Sequence, residues 1–186
     1  MLGQCRAVRL FGCQVWRRPC HRVGGFPSRC RHTRQRLSGL PRDGGISVVG
    51  HGDSDIVKLL PATVPGARIA LAGLHSWTDV DFPNIAKWGL STLSPNDLRD
   101  STQPLLEWLN ATGCSRVAIH LDVDVVDSNE AVIGLGAEPD GLTSSQVHRV
   151  ITDMQGAAEV VGLTIAEYVP RQAMAVQRLL NGLPLI

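Results

Sequence analysis

From residue 46 onward the chain alternates unbroken apolar runs with segments whose apolar residues recur every three or four positions. "ARIALAGL" (67–74) has the branched, apolar character of a strand covered on both faces. "SRVAIHLDVDVV" (115–126) and "AEVVGLTIAEY" (158–168) predict two more buried strands. Helical spacing predicts a short helix over "FPNIAKWG" (82–89) and a longer one over "STQPLLEWLNATG" (101–113), which opens on a serine and closes on a glycine. In "GLTSSQVHRVITDMQG" (141–156), Thr143 is followed three residues later by Gln146, a capping-box signature; Val147, Val150, Ile151 and Met154 then form one stripe. A last helix, "RQAMAVQRLLNG" (171–182), ends at a glycine before Pro184.

Strands alternating with helices imply right-handed crossovers and a mostly parallel sheet between helical layers, an α/β fold of the three-layer α/β/α sandwich type. Functional groups in such folds sit just past the carboxyl ends of strands. The acids of "HLDVDVVD" (120–127) fall at such an end.

Charge divides the chain. Its 186 residues carry a net charge of +1, yet residues 1–45 hold ten arginines and one acid, whereas residues 46–186 hold eight basic and sixteen acidic groups. Four of the five cysteines, Cys5, Cys13, Cys20 and Cys30, also lie in the basic segment. A zinc knuckle would need closely paired ligands, and these spacings are eight, seven and ten. A transit peptide would show an amphipathic stripe, which the scattered Gly and Pro interrupt. The favoured reading makes 1–45 a basic, Cys- and Arg-rich leader, disordered or non-native, and 46–186 the α/β domain. Charge without a folded reader does not make nucleic acid an expected partner. No apolar run is long enough to span a bilayer, so no membrane partner is expected, and the expected location is the cytoplasm.

Asp122, Asp124 and Asp127 follow a mostly apolar strand and come straight out of it. Carboxylates so close together repel one another and lose hydration, a cost that a cation offsets. Lys58 and Lys87 are the only lysines, so a divalent ion is the natural counter-charge, and oxygen donors suit a hard ion such as Mn2+ or Mg2+. On a strand, alternate residues share a face, so Asp122 and Asp124 could serve one centre. The bland alternative makes them loop acids capping nearby amides. An EF-hand loop is excluded because Val126 stands where its third ligand belongs.

"HLDVDVVDS", then "GLT" at 141–143, then "VVGLTIAEYVP" with Glu167, together resemble the C-terminal part of the ureohydrolases: arginases, agmatinases and formimidoylglutamases. That family has a D-x-D-x-x-D-P signature, a G-G-L-T turn into a helix and a strand ending in E-x-x-P, and "RIALAGLHS" is similar to the strand before them. The resemblance covers roughly residues 46–186. It implies an arginase-like fold whose N-terminal part is incomplete here, and a manganese-dependent hydrolase that releases urea or a similar amide from a guanidino or amidino C–N bond. It also implies two Mn2+ ions, with Asp122 bridging them, Asp124 holding one, Asp127 orienting the loop and Glu167 pairing with the substrate guanidinium. A small guanidino or amidino substrate and a homo-oligomer are the implied partners.

The family also has earlier D-A-H-x-D and G-G-D-H motifs. "VVGHGDSD" (48–55) puts His51 and Asp53 in the H-x-D positions, but Val49 replaces the first aspartate, and the 69 residues from Asp53 to Asp122 are too few for the intervening units. The stretch reads instead as a connection in which Asp53 or Ser54 caps the helix "DIVKLL". With neither earlier motif present, the binuclear site is expected to be incomplete, and a non-catalytic subunit or pseudoenzyme of this fold is the alternative function. A DxD-type phosphatase fits less well, because it wants a downstream lysine and none follows Lys87. His75, His120 and His148 read as structural, and Cys114 as a small buried hydrophobe.

Overall fold

The computed structural model describes residues 9–10, 48–51, 53–77, 82–134, 136–181 and 183. In chain order its elements are β1 (Arg9–Leu10), α1 (Ser54–Leu59), β2 (Ala70–Ala72), α2 (Phe82–Lys87), β3 (Ser91–Leu93), α3 (Pro95–Leu98), α4 (Gln103–Thr112), β4 (Arg116–Asp122), α5 (Ser144–Ala157), β5 (Glu159–Ala166) and α6 (Ala173–Leu180). Short 3-10 turns occupy Gly66–Arg68, Val123–Val125 and Pro170–Gln172. The chain divides into two compact units, Met1–Val15 with Val64–Ile186, and Trp16–Thr63. Of the expected leader, 1–45, all but Arg9–Leu10 lies outside the described residues.

In the larger unit the strand pairs among the described residues are parallel, β1 with β2, β2 with β3 and β4 with β5. One sheet has the order β1-β2-β3, and β4 pairs with β5 in a second. This is the α/β arrangement with parallel strands that the alternating pattern implies. The core lies between β4 and its helices: Leu105 and Leu109 of α4, Val117, Ile119 and Leu121 of β4, and Ile151 and Met154 of α5 are all essentially inaccessible. The α5 stripe Val147, Val150, Ile151, Met154 is buried as its spacing predicts.

Helix ends follow local chemistry. The Thr143 hydroxyl accepts the Gln146 N–H (3.2 Å) while the Gln146 side chain accepts the Thr143 N–H (2.8 Å), a complete capping box. Gly113 ends α4 in the left-handed conformation (φ 64°). Arg149 of α5 donates to the carbonyls of Leu98 and Arg99 at the end of α3, the latter at 3.0 Å, placing a cation at a helix C-terminus.

Two expectations change. The strand predicted over 115–126 stops at Asp122, and Val123–Val125 is a 3-10 turn, because the Asp122 carboxylate accepts the Asp124 N–H (3.1 Å) and curls the chain. The strand predicted as buried over 158–168 is only half-buried, since its ladder partner among the described residues is β4 alone. The pattern also missed β3 and α3, which are three and four residues long, although Ser94 and Asp97 form a capping box there.

In the smaller unit, Asp53 caps α1 by accepting the Asp55 N–H (2.7 Å), and Lys58 pairs with Asp55 at the surface (3.1 Å). Thus "GHGDSD" leads into a helix cap, as its sequence suggests.

Replacing Thr143 by alanine removes the acceptor at the start of α5 and is expected to lower stability by about 1 kcal/mol. Denaturant unfolding followed by circular dichroism checks this, and an unchanged midpoint would show that the capping box contributes nothing.

Candidate metal and substrate site

The candidate residues gather at one sheet edge because β4 and β5 are parallel neighbours. Asp122 is in register with Ala166, so Glu167 follows one residue past the same carboxyl edge. The apolar residues of both strands, Val117, Ile119 and Leu121 among them, hold this edge in place.

The first candidate, Asp122, ends β4 half-buried and binds the backbone of the turn that follows. Asp127 is one turn further on. Its backbone N–H donates to Leu142 O (2.8 Å), and its side chain accepts the Asn129 N–H (2.8 Å). A Cβ at Gly141 would lie 2.6 Å from Val125 O and 2.8 Å from the Asp127 nitrogen, so the "GLT" turn needs glycine to close against this loop.

Asp124 is placed differently from the expectation. Because it lies in the 3-10 turn and not on the strand, the alternation that would set it beside Asp122 does not apply. Its carboxylate lies against Gly134 and Gly136. The Gly136 N–H donates to Oδ2 (3.2 Å), and Oδ1 is buried without a hydrogen-bond partner among the described residues. A Cβ at Gly134 would overlap Oδ1, and one at Gly136 would lie 2.6 Å from Oδ2. Burial pushes the Asp124 carboxyl above the usual aspartate range, and the nearby charge of Glu138 adds to this; the Gly136 hydrogen bond and His75 pull the other way.

Glu167 has a positive φ of 63°, one of two non-glycine residues among those described to do so, the other being Asp140. That conformation costs an L-residue roughly 1–2 kcal/mol. The flanking pairings hold it in place: Tyr168 bridges Gly134 antiparallel, and Val169 N–H donates to Ile133 O (3.2 Å). Strain of this kind, maintained by surrounding contacts, collects at functional positions.

The histidines have identifiable anchors. His75, in the loop after β2, is hydrogen-bonded through Nδ1 to Gly73 O (2.8 Å). His120 is bonded across the ladder to Thr164 (2.6 Å), and His148 to the carbonyl of Leu179. His51 and Asp53 belong to the other compact unit, where Asp53 caps α1. Cys114 is buried and free.

The buried, unpartnered Asp124 Oδ1 is the kind of atom a cation would satisfy. Even so, no three His, Cys, Asp or Glu side chains among the described residues are grouped so as to hold a metal ion. A two-ion centre needs several protein donors per ion, and the donor set here does not fit one. The sequence reading missed Gly134 and Gly136. Two glycines one residue apart in an apolar stretch just downstream of an acidic cluster are the signal that could have found them.

Comparison with known proteins places this architecture. The profile of the Arginase family matches residues 28–179, and the chain belongs to that family. An arginase of Entamoeba histolytica, solved with L-ornithine, is similar to it with a TM-score of 0.65 and 17% identity over 75% of this chain and 50% of its own. An arginase of Bacillus subtilis gives a TM-score of 0.65 and 18% identity, covering 82% and 59% of the two chains. An agmatine ureohydrolase of Thermoplasma volcanium gives 0.53 and 27%, covering 63% and 41%. The chain thus spans about half the length of these structures. No curated protein matches significantly.

Two expectations follow from the geometry. Because the folded state holds Asp124 with a raised pKa, folding takes up protons and stability falls as pH rises from the ordinary aspartate range through that raised value. Asp124→Asn should therefore raise the melting temperature at neutral pH, with the gain disappearing at pH values below the ordinary aspartate range. A pH series of melting curves checks this, and a stabilisation independent of pH would refute it. Separately, Glu167→Asn should raise stability by roughly 0.5–1 kcal/mol, since Asn tolerates the left-handed region better. A clear loss of stability in denaturant unfolding would mean that the Glu167 side chain is itself structural.

Proposed function

We propose that this chain carries the carboxylate side of a urea-releasing amidine hydrolase site. In it Asp122 and Asp124 are manganese donors, and Glu167 receives a small guanidino or amidino cation. One observation carries the reading: by the register Asp122↔Ala166, Asp122 at the end of β4 and the strained Glu167 share one carboxyl edge, with Asp124 in the turn that follows Asp122. A planar cation bearing several N–H groups is best held by a carboxylate that accepts two of them at once, and Glu167 is such a group. A bound cation at Asp122 and Asp124 would offset the cost of placing both carboxylates at a half-buried edge.

The absence of a third donor beside them among the described residues favours a second reading, a family-fold subunit with no catalysis of its own. Both readings agree on the behaviour of the isolated chain. It binds at most one Mn2+ ion, weakly, and releases little or no urea from arginine or agmatine.

Calorimetric Mn2+ titration of the chain beside its Asp122→Asn/Asp124→Asn double variant, with a urea assay on both, tests the proposal. Weak binding in the parent and none in the variant is the expected result. Two firmly held ions with rapid urea release would overturn the incomplete-site reading. Equal binding by parent and variant would remove Asp122 and Asp124 from it.

A further inference from the structure

We propose that Gly134 is a positioning residue that couples Asp124 to Glu167, so that the metal-side and substrate-side carboxylates share one backbone clamp. The inference rests on the roles proposed above for Asp124 and Glu167. Three contacts meet at this one residue. The space a side chain would fill at Gly134 is taken by the Asp124 carboxylate: a Cβ there would overlap Oδ1 and lie 2.8 Å from the carboxyl carbon. The same point lies 3.1 Å from the carbonyl oxygen of Glu167. Gly134 itself forms an antiparallel bridge with Tyr168, and its neighbour Ile133 accepts the Val169 N–H (3.2 Å).

Asp124 and Glu167 are 43 residues apart in the chain, yet each is held by one side of the same short segment. The Gly136 N–H fixes Asp124 Oδ2 (3.2 Å), and Oδ1 fills the space a side chain at Gly134 would take, so the carboxylate sits against both glycines. Ile133 and Gly134 in turn hold the residues directly after Glu167, which keeps Glu167 at its positive φ. A displacement of the Asp124 carboxylate therefore moves the segment, and the segment moves the backbone that aims Glu167. Only glycine allows this contact, because any Cβ would push the carboxylate out of its seat. The clamp would set the spacing between the Asp124 carboxylate and the backbone that carries Glu167.

Residue-resolved amide exchange by NMR, on the full chain and its Gly134→Ala variant, tests the clamp. Local opening of a held segment raises exchange there without changing the rest of the fold. The added methyl should accelerate exchange at Gly136 and at Val169 together, by about 10-fold or more, with the β4–β5 ladder and the start of α5 unchanged. Because Gly134→Ala could fail to fold, Asp124→Ala provides the second arm. It removes the carboxylate without adding bulk and should also accelerate Val169, which it does not touch. The Gly134→Ala/Asp124→Ala pair should then be strongly non-additive, since the methyl enters space the carboxylate has left. A change at Gly136 with Val169 unaffected in both arms overturns the coupling, as does a uniform rise across the whole chain. Adding agmatine separates the two ideas: with the exchange pattern present and no shift at the Glu167 amide, the clamp stands and the substrate assignment falls.

Discussion

The carboxylate of Asp124, pressed into the space two glycines leave open, is the contact on which this end of the molecule depends. It accepts the Gly136 N–H at one oxygen; the other fills the place of a Gly134 side chain and is buried without a hydrogen-bond partner among the described residues. Burying an acid in this way is unfavourable, which is why its pKa is raised. The same loop pairs with Tyr168 and Val169, the residues that directly follow Glu167 at its positive φ. An apolar strand and helix beneath, with Leu121, Val147 and Ile151 fully covered, supply the rigidity that makes such a seat possible.

Much of the scaffold could be read from sequence pattern, because long elements with strong periodicity leave a clear trace. The α5 stripe and its capping box, the glycine end of α4 and the central strand are instances. The Asp53 helix cap was legible for a chemical reason: a short acceptor side chain preceded an apolar run. β3 and α3 were not, being too short for any period to register. The half-burial of β5 was also hidden, since a run of Val, Leu and Ile reads the same whether a strand has one neighbour or two.

The acids themselves were easy to find, and their arrangement was not. Strand alternation predicts that Asp122 and Asp124 share a face, yet the Asp122 side chain binds the next turn and rotates Asp124 out of the strand. That interaction is local and polar, invisible to a hydrophobic pattern. Membership of the Arginase family accounts for the order of these elements. The donor set among the described residues does not by itself make a metal centre, and the chain spans about half of the related structures. Family and fold therefore say less about chemistry here than the site does.

Asp124 is half-buried, with its Oδ1 inaccessible and its carboxylate against Gly134 and Gly136. Following the side-chain carboxyl carbons by 13C NMR across an acid titration measures this directly. Asp124 is expected to take up its proton at a higher pH than an ordinary aspartate, and Gly134→Ala, by forcing the carboxylate out toward water, to bring it back to the ordinary range. An Asp124 that titrates at or below that range in the parent chain would contradict its placement against the two glycines, because the carboxylate would then be solvated or already paired with a cation.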